Sequence, residues 1–236
     1  MNSPRPDQPA LAHVVVAVDG PSGSGKSSVS RAVALQLGLR YLDTGALYRA
    51  LTWWLLEEGV DTASPPAVSA RADEPELEVG TDPFNPTIRV NGVDVREPIR
   101  GAAVTAAVSA VSAVPLVRAR LVELQRREID GGNIVVEGRD IGTVVAPDAT
   151  VKVYLTASDD VRAQRRAAER SAVDDSEMAS VSAVFQSLQQ RDELDSTRPQ
   201  SPLRQAEDAV LIDATRLTLD EVVGKVCDLV LDRVAP

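Results

Sequence analysis

Short apolar runs alternate along this chain with segments whose apolar residues recur every three or four positions. The runs at 14–19, 40–42, 133–137, 151–155 and 210–213 have the pattern of strands buried on both faces of a sheet. Helical spacing falls at 27–37, 46–58, 158–169, 177–195 and 218–233. Gly38 stops the first helix, and Thr218 with Glu221 makes a capping box at the start of the last. The alternation predicts an α/β fold, a five-stranded parallel sheet with helices on both faces.

Residues 62–130 break this rhythm. The stretches 76–79 and 87–90 alternate polar and apolar, and Asn91-Gly92 leads into 93–95, the strongest short-range signal for a hairpin. An Ala/Val/Ser-rich helical stretch follows over 102–113, and Pro115 opens a longer helix to about residue 129. The segment reads as a small α+β subdomain inserted into a core made of 13–61 and 131–236. The Pro-rich residues 1–12 read as a disordered tail.

Composition narrows the function classes. At 236 residues the chain can bury one substantial core with a smaller insertion. It carries 25 basic against 35 acidic residues, a net charge of −10, which disfavours binding to nucleic acid or an anionic membrane. Any bound phosphate must then be held by a local cluster. Only Lys26, Lys152 and Lys225 among the basic residues are not Arg. A GC-rich coding bias produces the same excess, so only the positions of the arginines carry information. Cys227 and His13 are the only residues of their kinds, which excludes an intrachain disulfide, a cysteine metal cluster and a multi-His site. Cys227 sits in an apolar helical pattern and reads as a buried thiol. No apolar run has the length of a membrane span, and the expectation is a soluble, cytoplasmic protein.

The sharpest chemical signal is Gly20-Pro21-Ser22-Gly23-Ser24-Gly25-Lys26-Ser27, a complete G-x-x-x-x-G-K-[ST] between a predicted strand and a predicted helix. Its glycines let successive N–H groups converge on phosphate oxygens. Lys26 supplies a mobile charge for the β- and γ-phosphates, and the Ser27 hydroxyl can ligate Mg²⁺. The alternative is a Gly/Ser-rich turn that binds nothing.

Four further segments carry polar residues at element ends. Asp43-Thr44-Gly45-Ala46-Leu47-Tyr48-Arg49 reads equally as an anion site at a helix N-terminus or as an ordinary cap with Tyr48 in the core. Glu137-Gly138-Arg139-Asp140 ends a strand, where open α/β sheets bind ligands; an acidic residue there can hold Mg²⁺ through water. Arg162, Arg165, Arg166 and Arg170 lie on one side of a helix, as in a lid over about 160–180 or on a solvated face. Arg191 to Arg198, taken alone, is a salt-bridged surface turn.

Together these segments resemble the bacterial cytidylate kinases. The P-loop, residues 42–49 (Leu-Asp-Thr-Gly-Ala-Leu-Tyr-Arg), 138–145 (Gly-Arg-Asp-Ile-Gly-Thr-Val-Val) and Arg191-Asp-x-x-Asp-x-x-Arg198 occur in that family's order and spacing, around its enlarged insertion. The resemblance implies phosphoryl transfer from ATP to CMP or dCMP, with Mg²⁺, by a monomeric enzyme with a P-loop kinase core and helical lid. It implies ATP binding by residues 20–28, including Ser28, and catalysis by Lys26, Arg139, Arg162 and Arg166. Tyr48, Arg49, Arg139 and Arg198 would surround the acceptor phosphate, and Thr44 would also bind CMP. Ser109, Arg118 and Asp140 would face cytosine, and Arg191 and Asp195 the sugar and phosphate. The metal would lie at Ser27 and, through water, Glu137, where many relatives carry Asp. A carboxylate such as Asp140 accepts from cytosine's 4-amino group and repels uracil's oxygen. Kinases of UMP, AMP or a non-nucleotide acceptor, and a nucleotide-binding regulator without turnover, are the competing readings.

Overall fold

A computed structural model describes residues 13–171 and 181–235, without the side chains of 169–171 and 181. The tail expected over 1–12, the loop after Ser171 and the Arg170 side chain lie outside the described residues. In chain order the elements are β1 (Val15–Asp19), α1 (Lys26–Leu37), β2 (Arg40–Asp43), α2 (Thr44–Glu57), α3 (Pro65–Arg71), β3 (Leu77–Gly80), β4 (Thr87–Val90), β5 (Val93–Asp94), α4 (Ala102–Ser112), α5 (Pro115–Asp130), β6 (Ile134–Gly138), β7 (Val151–Thr156), α6 (Asp159–Ser171), α7 (Val181–Thr197), β8 (Val210–Asp213) and α8 (Leu219–Val234).

The main sheet has five parallel strands in the order β2-β6-β1-β7-β8. Successive side chains of a strand point to opposite faces, and both faces of the central strands β1 and β6 are covered. Val16, Val18 and Val135 pack with α1 and α8 on one side. Ala17, Ile134 and Val136 pack on the other against Ile129 of α5 and against Ile141 and Val145. Double coverage is the reason these two strands read as unbroken apolar runs. Cys227 is buried in the first of these cores, and burial pushes its thiol up to about 11.

Helix boundaries follow their caps. Helix α2 starts at Thr44, two residues before its predicted start, because Asp43 Oδ1 accepts the Ala46 N–H at 3.1 Å. The capping box of Thr218 and Glu221 is present on α8. Helix α3 went unread because a seven-residue helix led by two prolines shows no periodicity. The wide helical turn over Ile141–Val145 was also missed, its sequence being a plain apolar run.

The insertion contains a three-stranded antiparallel sheet, β3-β4-β5. Asn91 and Gly92 turn the hairpin at φ 50° and 78°, with Val90 paired to Val93. Its apolar cluster draws in Leu47, Leu51 and Leu55 of α2 beside Ile88, Val90, Val111, Val117 and Leu121. Helix α2 thus springs from the main sheet and serves as the insertion's central helix. Among the described residues no single helix is long and apolar enough to cross a membrane. Helices α4 and α5 reach that composition only in succession, and they meet at a 98° bend.

Candidate active site

The carboxyl ends of β1, β6 and β2 lie side by side, with Asp19 in register with Gly138 and Asp43 with Glu137. Three of the sequence motifs therefore converge on one crevice. One side of it is the loop between β1 and α1. Gly20 has φ 147°, and a side chain there would meet the Leu155 carbonyl oxygen at 2.0 Å, so no other residue fits. Lys26 opens α1 and donates from Nζ to the Pro21 carbonyl at 2.8 Å. Burial, then the charge of Arg139, pushes the Lys26 amine below its ordinary value.

Glu137 at the end of β6 is buried and held by two hydroxyls. Ser27 donates to Oε2 at 3.0 Å and Tyr41 donates to Oε1. Burial, then the Asp43 carboxylate, pushes Glu137 above the usual carboxylate range. Asp19 is held otherwise: the N–H groups of Ile141 and Gly142 each donate to it at 2.8 Å. Burial still outweighs those bonds and raises Asp19 from 3.8 to about 6.

The opposite side of the crevice is rich in arginine. Thr44, Tyr48 and Arg49 reach it from α2, Ser109 and Arg118 from the insertion, Arg139 and Asp140 from just beyond β6, and Arg191, Asp195 and Arg198 from the end of α7. Asp140 is buried, accepts from Arg118, and lies 3.7 Å from Arg198. The Arg118 guanidinium stacks over the Tyr48 ring at 5.4 Å. Arg139 donates to Asp195 at 2.8 Å and to the Gly20 carbonyl at 2.6 Å, joining the two sides.

Burial, then Arg191 and Arg166, pushes Arg49 down to about 9; burial, then Arg139, pushes Arg191 down to about 10. Nη2 of Arg198 is buried without a hydrogen bond among the described residues. Arginines that desolvate and repel one another in this way are stabilised together by an anion.

With this geometry in place, comparison with known proteins becomes informative. The cytidylate kinase family model matches residues 16–232. The chain belongs to the cytidylate kinase family. A cytidylate kinase of Streptomyces coelicolor is 54% identical over 234 residues, covering 98% of this chain and 97% of that one. One of Streptomyces avermitilis is 53% identical over 222 residues, covering 93% and 94%. A solved structure of an uncharacterized protein from Eubacterium ventriosum superposes with a TM-score of 0.50 at 10% identity over 92% of this chain and 98% of its own, a likeness of fold alone.

Within this family the crevice gathers all ten residues expected around CMP, together with Glu137, Lys26, Ser27, Ser22, Gly23 and Arg166. Gly20, Pro21, Ser24, Gly25 and Ser28 complete the loop and the first turn of α1 without lining the crevice. The expected set of lid arginines divides. Arg166 lines the crevice, whereas Arg162 lies behind the loop, paired with Asp159 at 2.6 Å and with Asp192, and donating to the Ser22 carbonyl at 2.8 Å. Arg165 ties the Ser24 carbonyl at 3.2 Å to that of Ala214 at 2.8 Å. Sequence reading missed Tyr41, Asp19 and Asp192. Tyr41 looked like one more strand residue. The other two left a signal: Asp19 is a lone acid ending an apolar strand, and Asp192 lies inside the Arg191–Arg198 motif.

Proposed function

We propose that this chain transfers the terminal phosphoryl group of ATP to CMP or dCMP, giving ADP and CDP or dCDP. One observation carries the reading. A P-loop with Lys26 and Ser27 shares its crevice with a buried arginine cluster around the Asp140–Arg118 pair. Phosphoryl transfer asks little covalent chemistry of a protein; positioning and charge stabilisation supply most of the rate. The loop amides and Lys26 hold the donor phosphates, while Arg49, Arg139, Arg191 and Arg198 hold the acceptor phosphate in line. Ser109, Arg118 and Asp140 face the base, and Asp140 accepts from the cytosine amino group. Arg166 adds positive charge between the two phosphates, and Arg162 keeps the loop in place.

The oxygen pair of Ser27 and Glu137, 3.0 Å apart beside the loop, suits Mg²⁺, which takes one or two protein oxygens and completes its shell with phosphates and water. No group of three or more His, Cys, Asp or Glu among the described residues is placed to hold a metal unaided. When bound, Mg²⁺ neutralises charge on the transferring phosphates. The net charge of −10 disfavours a nucleic-acid partner and suits small-molecule substrates, and the reading is of a monomeric cytoplasmic enzyme. Comparing CMP, dCMP, UMP and AMP as acceptors in a coupled assay of ADP release tests the reading. CMP or dCMP is expected to be preferred, and a preference for AMP overturns it.

A further inference from the structure

Ser22, the third residue of the P-loop, is gripped at each of its polar atoms by side chains from elsewhere. Its N–H donates to Asp192 Oδ1 at 3.0 Å, its carbonyl accepts from Arg162 at 2.8 Å, and its hydroxyl accepts from Arg139. The same Arg162 Nη1 also donates to the second oxygen of Asp192. Backbone amide, carbonyl, guanidinium and carboxylate therefore close a ring through a single loop residue. The Gly20 carbonyl is fixed as well, by Arg139 at 2.6 Å.

The following part of the loop is different. Among the described residues no protein acceptor meets the N–H groups of Gly23 and Gly25, at φ 75° and 96°. The loop thus divides into a first half satisfied by protein and a second half whose glycine amides have no protein acceptor among the described residues. Arg162 is only 6% exposed and the Asp192 side chain 15%, so neither is a surface charge free to swing away. A carboxylate on a P-loop amide has two readings: a strut that stays, or a stand-in that a phosphate displaces. The closed ring favours the strut, because displacing Asp192 would break its hydrogen bond with Ser22 and its pair with Arg162 together, in a partly dry site.

We propose that Asp192 is a positioning residue for the donor nucleotide. It acts through Ser22 to fix the first half of the P-loop, so that the amides from Gly23 onward are already arranged for phosphate. Three glycines make this loop intrinsically mobile, and ordering it only when nucleotide arrives would cost affinity. Asp192 adjoins Arg191 and lies one helical turn before Asp195, so the helix that lines the acceptor side also braces the donor loop. The proposal rests on reading the loop as a nucleotide-phosphate cradle.

The test is calorimetric binding of ADP with Mg²⁺, and separately of CMP, to the full-length protein and to Asp192→Ala and Asp192→Asn. Asp192→Ala is expected to weaken ADP about tenfold or more and to leave CMP within about threefold. Asp192→Asn keeps an acceptor for the Ser22 N–H and is expected to fall between the two. A merely structural role would lower thermal stability without this split between the ligands. Asp192→Ala binding ADP as tightly as the parent overturns the proposal. Tighter binding also overturns it, since the carboxylate would then be a competitor of phosphate. If Asp192→Ala does not fold, Asp192→Asn decides: weaker ADP with unchanged CMP supports the strut, and unchanged ADP overturns it. Failure of the parent protein to bind ADP at all would instead remove the reading of the loop itself.

Discussion

The Tyr41 hydroxyl on β2 donates to Oε1 of Glu137 on the neighbouring β6, while Ser27 at the start of α1 donates to the other oxygen of the same carboxylate. Both oxygens of this buried carboxylate therefore have a dedicated hydroxyl donor. Tyr41 is 3% exposed, so water does not replace the bond.

Replacing Tyr41 with Phe removes that donor and leaves a buried carboxylate oxygen unsatisfied. The expected loss is about 1–3 kcal/mol of folding free energy, read from the shift in the urea midpoint. A midpoint equal to that of the parent would show that the bond contributes nothing.

Lys26→Ala deletes the mobile charge of the P-loop at a helix start that other contacts hold in place. Turnover is expected to drop by roughly 10²–10³-fold or more with the circular dichroism spectrum and melting profile preserved. A near-normal kcat would remove Lys26 from the donor site.

Asp140→Asn keeps the shape of the base-facing residue but replaces a pure acceptor with an amide that can also donate to uracil. The preference for CMP over UMP, as a ratio of kcat/KM values, is expected to shrink by about 1–3 kcal/mol, roughly fivefold to 150-fold. Unchanged selectivity would place the cytosine reader elsewhere.

Asp19 gives a dependence on pH whose direction can be worked out. Its folded-state value lies near 6 against an ordinary 3.8. The folded protein therefore binds this proton more tightly than the unfolded chain does. The resulting stability is fully present below pH 3.8 and is lost as pH rises through about 6. Relative to Asp19→Asn, the parent should lose up to about 3 kcal/mol of stability between pH 4 and pH 7. Paired urea titrations at several pH values measure this; a flat difference contradicts the buried, proton-binding carboxyl.

The sheet was legible because β1 and β6 at its centre are covered on both faces and the other strands keep short apolar runs, and the hairpin because Asn91-Gly92 admits few other conformations. The P-loop, Arg139, Asp140 and Arg198 were legible because their spacing is itself the motif. What escaped was whatever depends on a partner distant in sequence. Tyr41 matters only because β2 lies beside β6, 96 residues away. Arg162 shows the same limit. Its spacing from Arg166 placed both on a lid, yet one turn of helix separates a residue lining the crevice from one locked behind the loop by Asp159 and Asp192. Periodicity gives the face of a helix and not what stands opposite each turn of it.

Helix α2 begins at the main sheet and ends as the spine of the insertion. Residues 62–130 are therefore no cassette that could be cut out or grafted onto another scaffold. Excising them would strip Leu47, Leu51 and Leu55 of their cover and leave a sticky helix beside the crevice. Any exchange of the insertion would have to carry Tyr48, Arg49 and the whole of α2 with it, so the crevice wall and the insertion's core depend on one helix.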